Sequence, residues 1–210
     1  MNLLITGVAG FIGSRVARTA IEKGYKVIGV DDLSQGYLRN VPKEVHFFEF
    51  DLTKSNNTAK LPKNIDYILH LAGQSSGEVS FDNPILDLEK NTISTLNLIK
   101  FGIKNKVKKI IYASSMSVYG TAEDSPVSET HVCSPLSCYG VGKLAAENYL
   151  KVYQNQLPYT IFRMFNVYGS GQDMSNLRQG MVSIYLAHIF KDGYVPVKGS
   201  VQRFRDFIYI

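Results

Sequence analysis

The sequence predicts an α/β fold, a doubly wound parallel sheet with helices on both faces, followed by a looser C-terminal portion. Three observations predict it. Short β-branched apolar runs alternate with amphipathic stretches of helical length, the first run enters a helix through a glycine-rich turn, and the second run ends on an aspartate.

The elements follow in order. Asn2 to Thr6 is an apolar strand, a helix runs from about Phe11 to Lys23, and strands follow at Lys26 to Val30 and Val45 to Phe50. Further buried strands are expected at Tyr67 to Leu71, Lys109 to Ser114 and Tyr159 to Met164, with helices near Pro84 to Gly102 and Tyr139 to Gln154 between them. Such alternation places ligands at the carboxyl ends of the strands. After about Asn166 the chain loosens into Gly-, Ser- and Asn-rich loops, a helix near Gly180 to Lys191 and a closing strand, Phe204 to Ile210. We therefore expect a dinucleotide-binding domain over residues 1–165 and an incomplete second region over 166–210, because a chain that stops inside a strand reads as a piece of a longer protein.

A chain of 210 residues, 45% hydrophobic, can bury one full core. Its net charge of +5 comes from scattered Lys and Arg. The largest cluster, Lys104 to Lys109, is expected to end a helix, where cations suit the dipole. That distribution argues against nucleic acid and fits a solvated surface favouring anionic small molecules. Cys133 and Cys138 lack a metal-ligand spacing and a neighbouring His cluster, so free thiols and no metal site are expected. The N-terminus enters a strand directly, and no stretch of about 18 apolar residues occurs, so no membrane span and a cytoplasmic setting are expected.

Thr6 to Gly13 reads TGVAGFIG, with glycines three apart. Gly7 permits the tight turn, Gly10 lets backbone amides approach a pyrophosphate, and Gly13 lets the helix pack on the strand, while Phe11 and Ile12 open the helix. Asp31 stands 18 residues after Gly13, placed to accept the ribose hydroxyls of an adenosine, with Asp32 and Leu33 beside it. Its charge would repel the 2′-phosphate of NADP, and no Arg follows until Arg39, so NAD is the expected cofactor of a Rossmann fold. Asp51 and Leu52 are expected at the adenine, with a helix N-cap as the lesser alternative for Asp51.

Tyr139 and Lys143 form YGVGK, a spacing that puts both side chains on one helix face. An ammonium beside a phenol, together with a positive nicotinamide ring, is expected to lower the phenol's pKa and make Tyr139 a general base. A hydroxyl able to bond both substrate oxygen and phenol completes the set. Ser115 in SSMSVYG, just past the strand that should border the nicotinamide, is the expected residue.

These motifs, with HLAG at His70 to Gly73 and NVYG at Asn166 to Gly169, resemble the extended short-chain dehydrogenase/reductases along the whole chain. The resemblance implies that Ser115 and Tyr139 flank a sugar hydroxyl, Lys143 holds the nicotinamide ribose, and Leu71, Ala72 and Gly73 pass under the dinucleotide, with Ala113 and Phe165 also at the cofactor. It implies that Asn91 braces the site, Asn166 touches the sugar nucleotide, and Arg205 holds a substrate diphosphate. The alternative for Arg205 is a pairing with Asp206.

Members of that family share one opening step, oxidation of a sugar carbon by NAD. The 4,6-dehydratases carry Asp-Glu directly after the catalytic hydroxyl residue and the UDP-glucuronate decarboxylases a Glu two places on, whereas this chain has Met116 and Ser117. The pattern resembles the 4-epimerases of nucleoside diphosphate sugars, although Gln74 to Ser80 is also similar to CDP-tyvelose 2-epimerases. A keto-sugar reductase, a dehydratase and a non-catalytic NAD-binding protein are the other readings. The resemblance further implies a homodimer through the helices near Pro84 to Gly102 and Tyr139 to Gln154.

Overall fold

The computed structural model describes residues 1–122, 126–197, 199–202 and 204–210. By Cα proximity the chain divides into two units, Met1–Arg163 and Met164–Ile210.

The first unit is built on β1 (Asn2–Thr6), α1 (Phe11–Glu22), β2 (Lys26–Asp31), β3 (His46–Glu49), α2 (Ser55–Thr58), β4 (Tyr67–His70), α3 (Pro84–Leu88), a π turn (Glu89–Ile93), α4 (Ser94–Lys104), β5 (Lys109–Ser115), α5 (Cys138–Val152) and β6 (Tyr159–Met164). The sheet runs β3-β2-β1-β4-β5-β6, the order of a Rossmann fold, and the pairs β1–β2, β1–β4, β2–β3 and β4–β5 are parallel. The order reverses between β1 and β4, the switch point at whose carboxyl ends sheets of this kind bind their ligands.

Two apolar clusters flank the sheet. On one side Leu4, Ile68, Ile110 and Tyr112 pack with Leu98, Ile99, Ala146 and Leu150 of α4 and α5. On the other, Ile5, Val8 and Val27 pack with Ala17 and Ala20 of α1. Strands buried on both faces read as continuous apolar runs, which makes them visible in the sequence.

Three expectations need correction. The helix near Pro84 to Gly102 is not one regular helix. Asn83 caps it by accepting a hydrogen bond from the Leu86 amide at 3.0 Å, but the hydroxyls of Ser94 and Thr95 donate to the carbonyls of Lys90 and Asn91, at 2.5 and 2.7 Å. Those bonds compete with the backbone ladder where it widens into the π turn. The Lys104 to Lys109 cluster does not end a helix as a block. Lys104 closes α4, Lys108 pairs with Asp66 at 2.8 Å, and Lys109 opens β5. The closing strand is shorter than expected, because only Phe207–Tyr209 pairs with another strand.

The second unit comprises β7 (Asn166–Tyr168), α6 (Met181–Asp192) and β8 (Phe207–Tyr209), with β7 and β8 pairing in parallel. The Tyr168 ring meets Phe207 and Tyr209 edge-on, at 5.9 and 5.6 Å between centroids. Gly193 ends α6 in the left-handed conformation, φ 73°.

His70, at the end of β4, is fully buried between Thr6 Oγ1 at 2.7 Å and Thr95 Oγ1 at 3.0 Å. The Thr95 hydroxyl proton goes to the Asn91 carbonyl, so His70 Nε2 carries the ring proton and Nδ1 accepts from Thr6. Burial, then the nearby Lys143 charge, pushes its pKa down to about 3. The unfolded chain takes up this proton near pH 6.5 and the native one only near pH 3, so stability is expected to fall as pH drops through that interval, by about 1.4 kcal/mol per unit. Denaturant midpoints measured from pH 7 to pH 3 should decline less steeply in His70→Asn. Equal slopes would mean that the imidazole is not held neutral.

Candidate functional site

The turn after β1 is closed by backbone. The Gly7 amide donates to Val30 O at 2.8 Å, φ there is 71°, and a Cβ would sit 2.8 Å from the Ala72 nitrogen. A Cβ at Gly13 would overlap the Gly7 carbonyl oxygen, so this glycine sets how closely α1 approaches the turn. Gly10 occupies the N-cap of α1 and carries no capping side chain. The first-turn amides, Phe11 and Ile12 among them, are therefore left to an external anion at the positive end of a 12-residue helix.

At the end of β2 the Asp31 carboxylate is 9% exposed and accepts hydrogen bonds from the amides of Ala9 at 3.0 Å and Leu33 at 2.9 Å. Burial raises its pKa, and those amides oppose the rise. Each oxygen takes one amide and keeps a free lone pair for a hydroxyl donor. Asp32 and Asp51 are held differently. Both carboxylates engage Lys90 of the π turn, Asp51 at 3.2 Å, and both pKa values lie below the usual range: burial works against the charged form, but Lys90 with the Ser34 contacts outweighs it at Asp32, and the Thr53 amide with Lys90 does so at Asp51. Asp51 also accepts from the Thr53 amide at 2.8 Å in a local turn, while Lys54 occupies the N-cap of α2, so the capping reading of Asp51 does not hold. The Leu52 carbonyl accepts from Asn97 Nδ2 at 2.9 Å. Lys90 was missed by the sequence reading.

A second group gathers beyond β5. Ser115 is 9% exposed and caps the short turn Met116–Val118, its Oγ accepting from the Ser117 amide at 3.2 Å. On α5, capped by Ser137 Oγ, Tyr139 and Lys143 are 8% and 4% exposed, and Lys143 Nζ lies 5.7 Å from the Tyr139 ring centroid. Nζ donates to the Ala113 carbonyl at 3.0 Å. A Cβ on Gly73 would fall 3.5 Å from Nζ and 2.5 Å from Asn91 Oδ1, so only glycine fits between them. Thr6 Oγ1 fixes the amides of Leu71 and Ala72, at 3.2 and 3.1 Å. The structure thus brings together Leu71, Ala72, Gly73, Asn91, Ala113, Ser115, Tyr139 and Lys143.

The expected lowering of the Tyr139 pKa is not seen in the chain alone. Burial pushes it up to about 12, only partly opposed by a hydrogen bond with Ser115, and the Asp87 charge raises it further. Burial also drives Lys143 down to about 8, opposed by Asp87. Spacing indicates a shared helix face but not how dry that face is. Asp87, absent from the sequence reading, is 1% exposed beneath these groups. Its place one helical turn before Asn91 was the available signal.

In the second unit Asn166 Nδ2 donates to the Asp206 carbonyl at 2.8 Å, which fixes it beside the neighbour of Arg205. Arg205 is exposed, and its Nη1 donates to the Phe204 carbonyl at 2.9 Å. Phe165, between β6 and β7, is half-buried. Among the described residues no group of three His, Cys, Asp or Glu side chains could hold a metal ion, and no helix is long and apolar enough to cross a membrane. Both cysteines are free thiols.

A glycine turn at an uncapped helix N-terminus, a carboxylate at the end of β2 and a dry Ser, Tyr and Lys group, all at the carboxyl ends of one parallel sheet, can hold a dinucleotide and move a proton beside it. The model of the NAD dependent epimerase/dehydratase family matches residues 3–210. The chain belongs to this family.

As a family member it uses NAD, consistent with the uncapped α1 terminus and the Asp31 carboxylate. The UDP-glucose 4-epimerase of Thermotoga maritima, solved with UDP-glucose, superposes with a TM-score of 0.95 at 36% identity, over 100% of this chain and 69% of that one. The Thermus thermophilus UDP-glucose 4-epimerase, solved with NAD, gives 0.89 at 33%, over 100% and 70%. Another relative has a different reaction: UDP-glucuronic acid decarboxylase 1 of Xenopus tropicalis is 33% identical over 217 residues, 100% of this chain and 51% of that protein.

Proposed function

We propose that the chain serves the NAD-dependent 4-epimerisation of a nucleoside diphosphate sugar through a transient keto-sugar, with Tyr139 as the base. The observation that carries this reading is the convergence of Ser115, Tyr139 and Lys143 in one dry cluster, followed by the neutral Met116 and Ser117. A dehydratase or decarboxylase needs an acidic side chain there for its second step. NAD, held at Gly7, Gly10, Phe11, Ile12 and Gly13 and by Asp31, with Asp32, Leu33, Asp51, Leu52 and Phe165 around it, supplies the hydride acceptor and donor.

Ser115 and Tyr139 take the sugar hydroxyl in this reading, and the phenol removes its proton. Lys143, anchored on Ala113 O, holds the ribose nearest the reaction and opposes protonation of the phenolate. Its charge, added to that of the bound cofactor, is what must offset the burial that raises the phenol in the chain alone. In the second unit Asn166 and Arg205 offer a carboxamide and a guanidinium of the kind that hold a sugar diphosphate.

A homodimer is part of the same proposal. Large apolar side chains stand exposed where α3 and α5 begin, Leu136 at 70% and Val141 at 53% among them, around a hollow of about 490 Å³ also lined by Phe81 and Leu88.

Incubation with NAD and a panel of UDP-, GDP-, CDP- and dTDP-sugars, followed by proton NMR and nicotinamide absorbance, tests the reaction. An inverted sugar with no net reduced cofactor is expected. Stoichiometric consumption of reduced cofactor, or a dehydrated or decarboxylated product, would overturn the epimerase reading.

A further inference from the structure

Asp87 is a buried carboxylate with no role in the steps above. Its Oδ1 accepts from Gln74 Nε2 at 2.7 Å and Asn91 Nδ2 at 3.2 Å. Its Oδ2 has no hydrogen-bond partner and faces Gly142, where a Cβ would come within 3.2 Å. Gln74 Nε2 also donates to Ser76 O at 2.7 Å, and its Oε1 accepts from the Ser76 amide, so the loop after β4 is latched onto this carboxylate. The groups that face it come from four elements: Gln74 from the loop, Asn91 from the π turn, Tyr112 from β5, and Tyr139 and Lys143 from α5.

A charge so far from water is tolerated when an opposite charge shares its surroundings. Lys143 is the cation at hand: it is 4% exposed, and its ammonium donates to a neutral carbonyl, Ala113 O. We propose that Asp87 is a positioning residue of the site, the buried counter-charge that keeps the Lys143 ammonium protonated beside Gly73 and Asn91. Burial raises the Asp87 pKa, and the Gln74 and Asn91 hydrogen bonds and the Lys143 charge oppose that rise, so Asp87 reaches the reaction only through Lys143. Its role in turnover rests on the epimerase reading above, whereas its effect on Lys143 does not.

The ionisation of Lys143 can be read in the free protein by ¹³Cε lysine NMR, assigned by the signal lost in Lys143→Met. Burial brings its titration down to about pH 8. In Asp87→Asn, which keeps the shape and the acceptor for Gln74, that titration is expected to fall by about one pH unit or more. A curve coinciding with that of the unmodified, folded protein would overturn the proposal. If Asp87→Asn does not fold, Asp87→Ser, which removes the same charge with a smaller side chain, is expected to move the curve the same way, and an unmoved curve again overturns it. The measurement involves no sugar, so a failed epimerase assay leaves its outcome readable.

Discussion

Replacing Tyr139 with Phe is expected to lower turnover by roughly 10²- to 10⁴-fold while leaving NAD affinity nearly unchanged. The substitution removes only the phenolic oxygen. The ring that packs 5.7 Å from Lys143 Nζ stays, as do the Lys143 bond to Ala113 and the backbone turn at Gly7. NAD affinity, followed by quenching of tyrosine fluorescence or by calorimetry, reports the turn and Asp31, and single-turnover reduction of NAD by a substrate sugar reports the proton transfer. A variant that retained turnover would remove Tyr139 as the base. Loss of both activity and NAD binding would point to collapse of the α5 face instead.

The largest stability effect is expected at Glu147, which is fully buried on α5. It accepts from Ser114 Oγ at 2.5 Å, from Arg163 Nε at 3.0 Å and from Arg163 Nη2 at 2.8 Å. Arg163 in turn donates to the Glu129 carbonyl at 3.0 Å and lies over the Tyr119 ring at 4.8 Å, so one carboxylate ties α5 to β5, to β6 and to the segment before α5. Glu147→Ala leaves a half-buried guanidinium without its counter-ion, a loss of about 3–5 kcal/mol. For a chain of this length that corresponds to a fall in Tm of roughly 6–20 °C. Circular dichroism melts check it. A fall of only a degree or two would mean that water reaches Arg163 and the pair contributes little.

The sheet was legible because parallel strands buried on both faces read as unbroken apolar runs, and the glycine spacing fixed where the first of them turns. The pairing of β7 with β8 was not, because three-residue strands carry no period that distinguishes them from loop. At the site, motif spacing indicated which residues share a face. Ser115, Tyr139 and Lys143 come together as spacing suggested, whereas the depth of their burial, and with it the upward shift of the phenol, depends on packing from α3, α4 and β4 that no local pattern records. Lys90 and Asp87 escaped notice for a related reason. A charged residue on a helix reads as solvent-facing, and only the folded chain reveals that Lys90 turns to Asp32 and Asp51 while Asp87 turns inward to Gln74 and Asn91.

Lys90 and Asn91 are consecutive residues of the widened turn between α3 and α4. One grips the acidic strand ends where an adenosine is proposed to lie, and the other abuts Gly73 and Asp87 beside the reacting groups. A single peptide unit thus separates the residue that holds Asp32 and Asp51 from the one that holds Asp87.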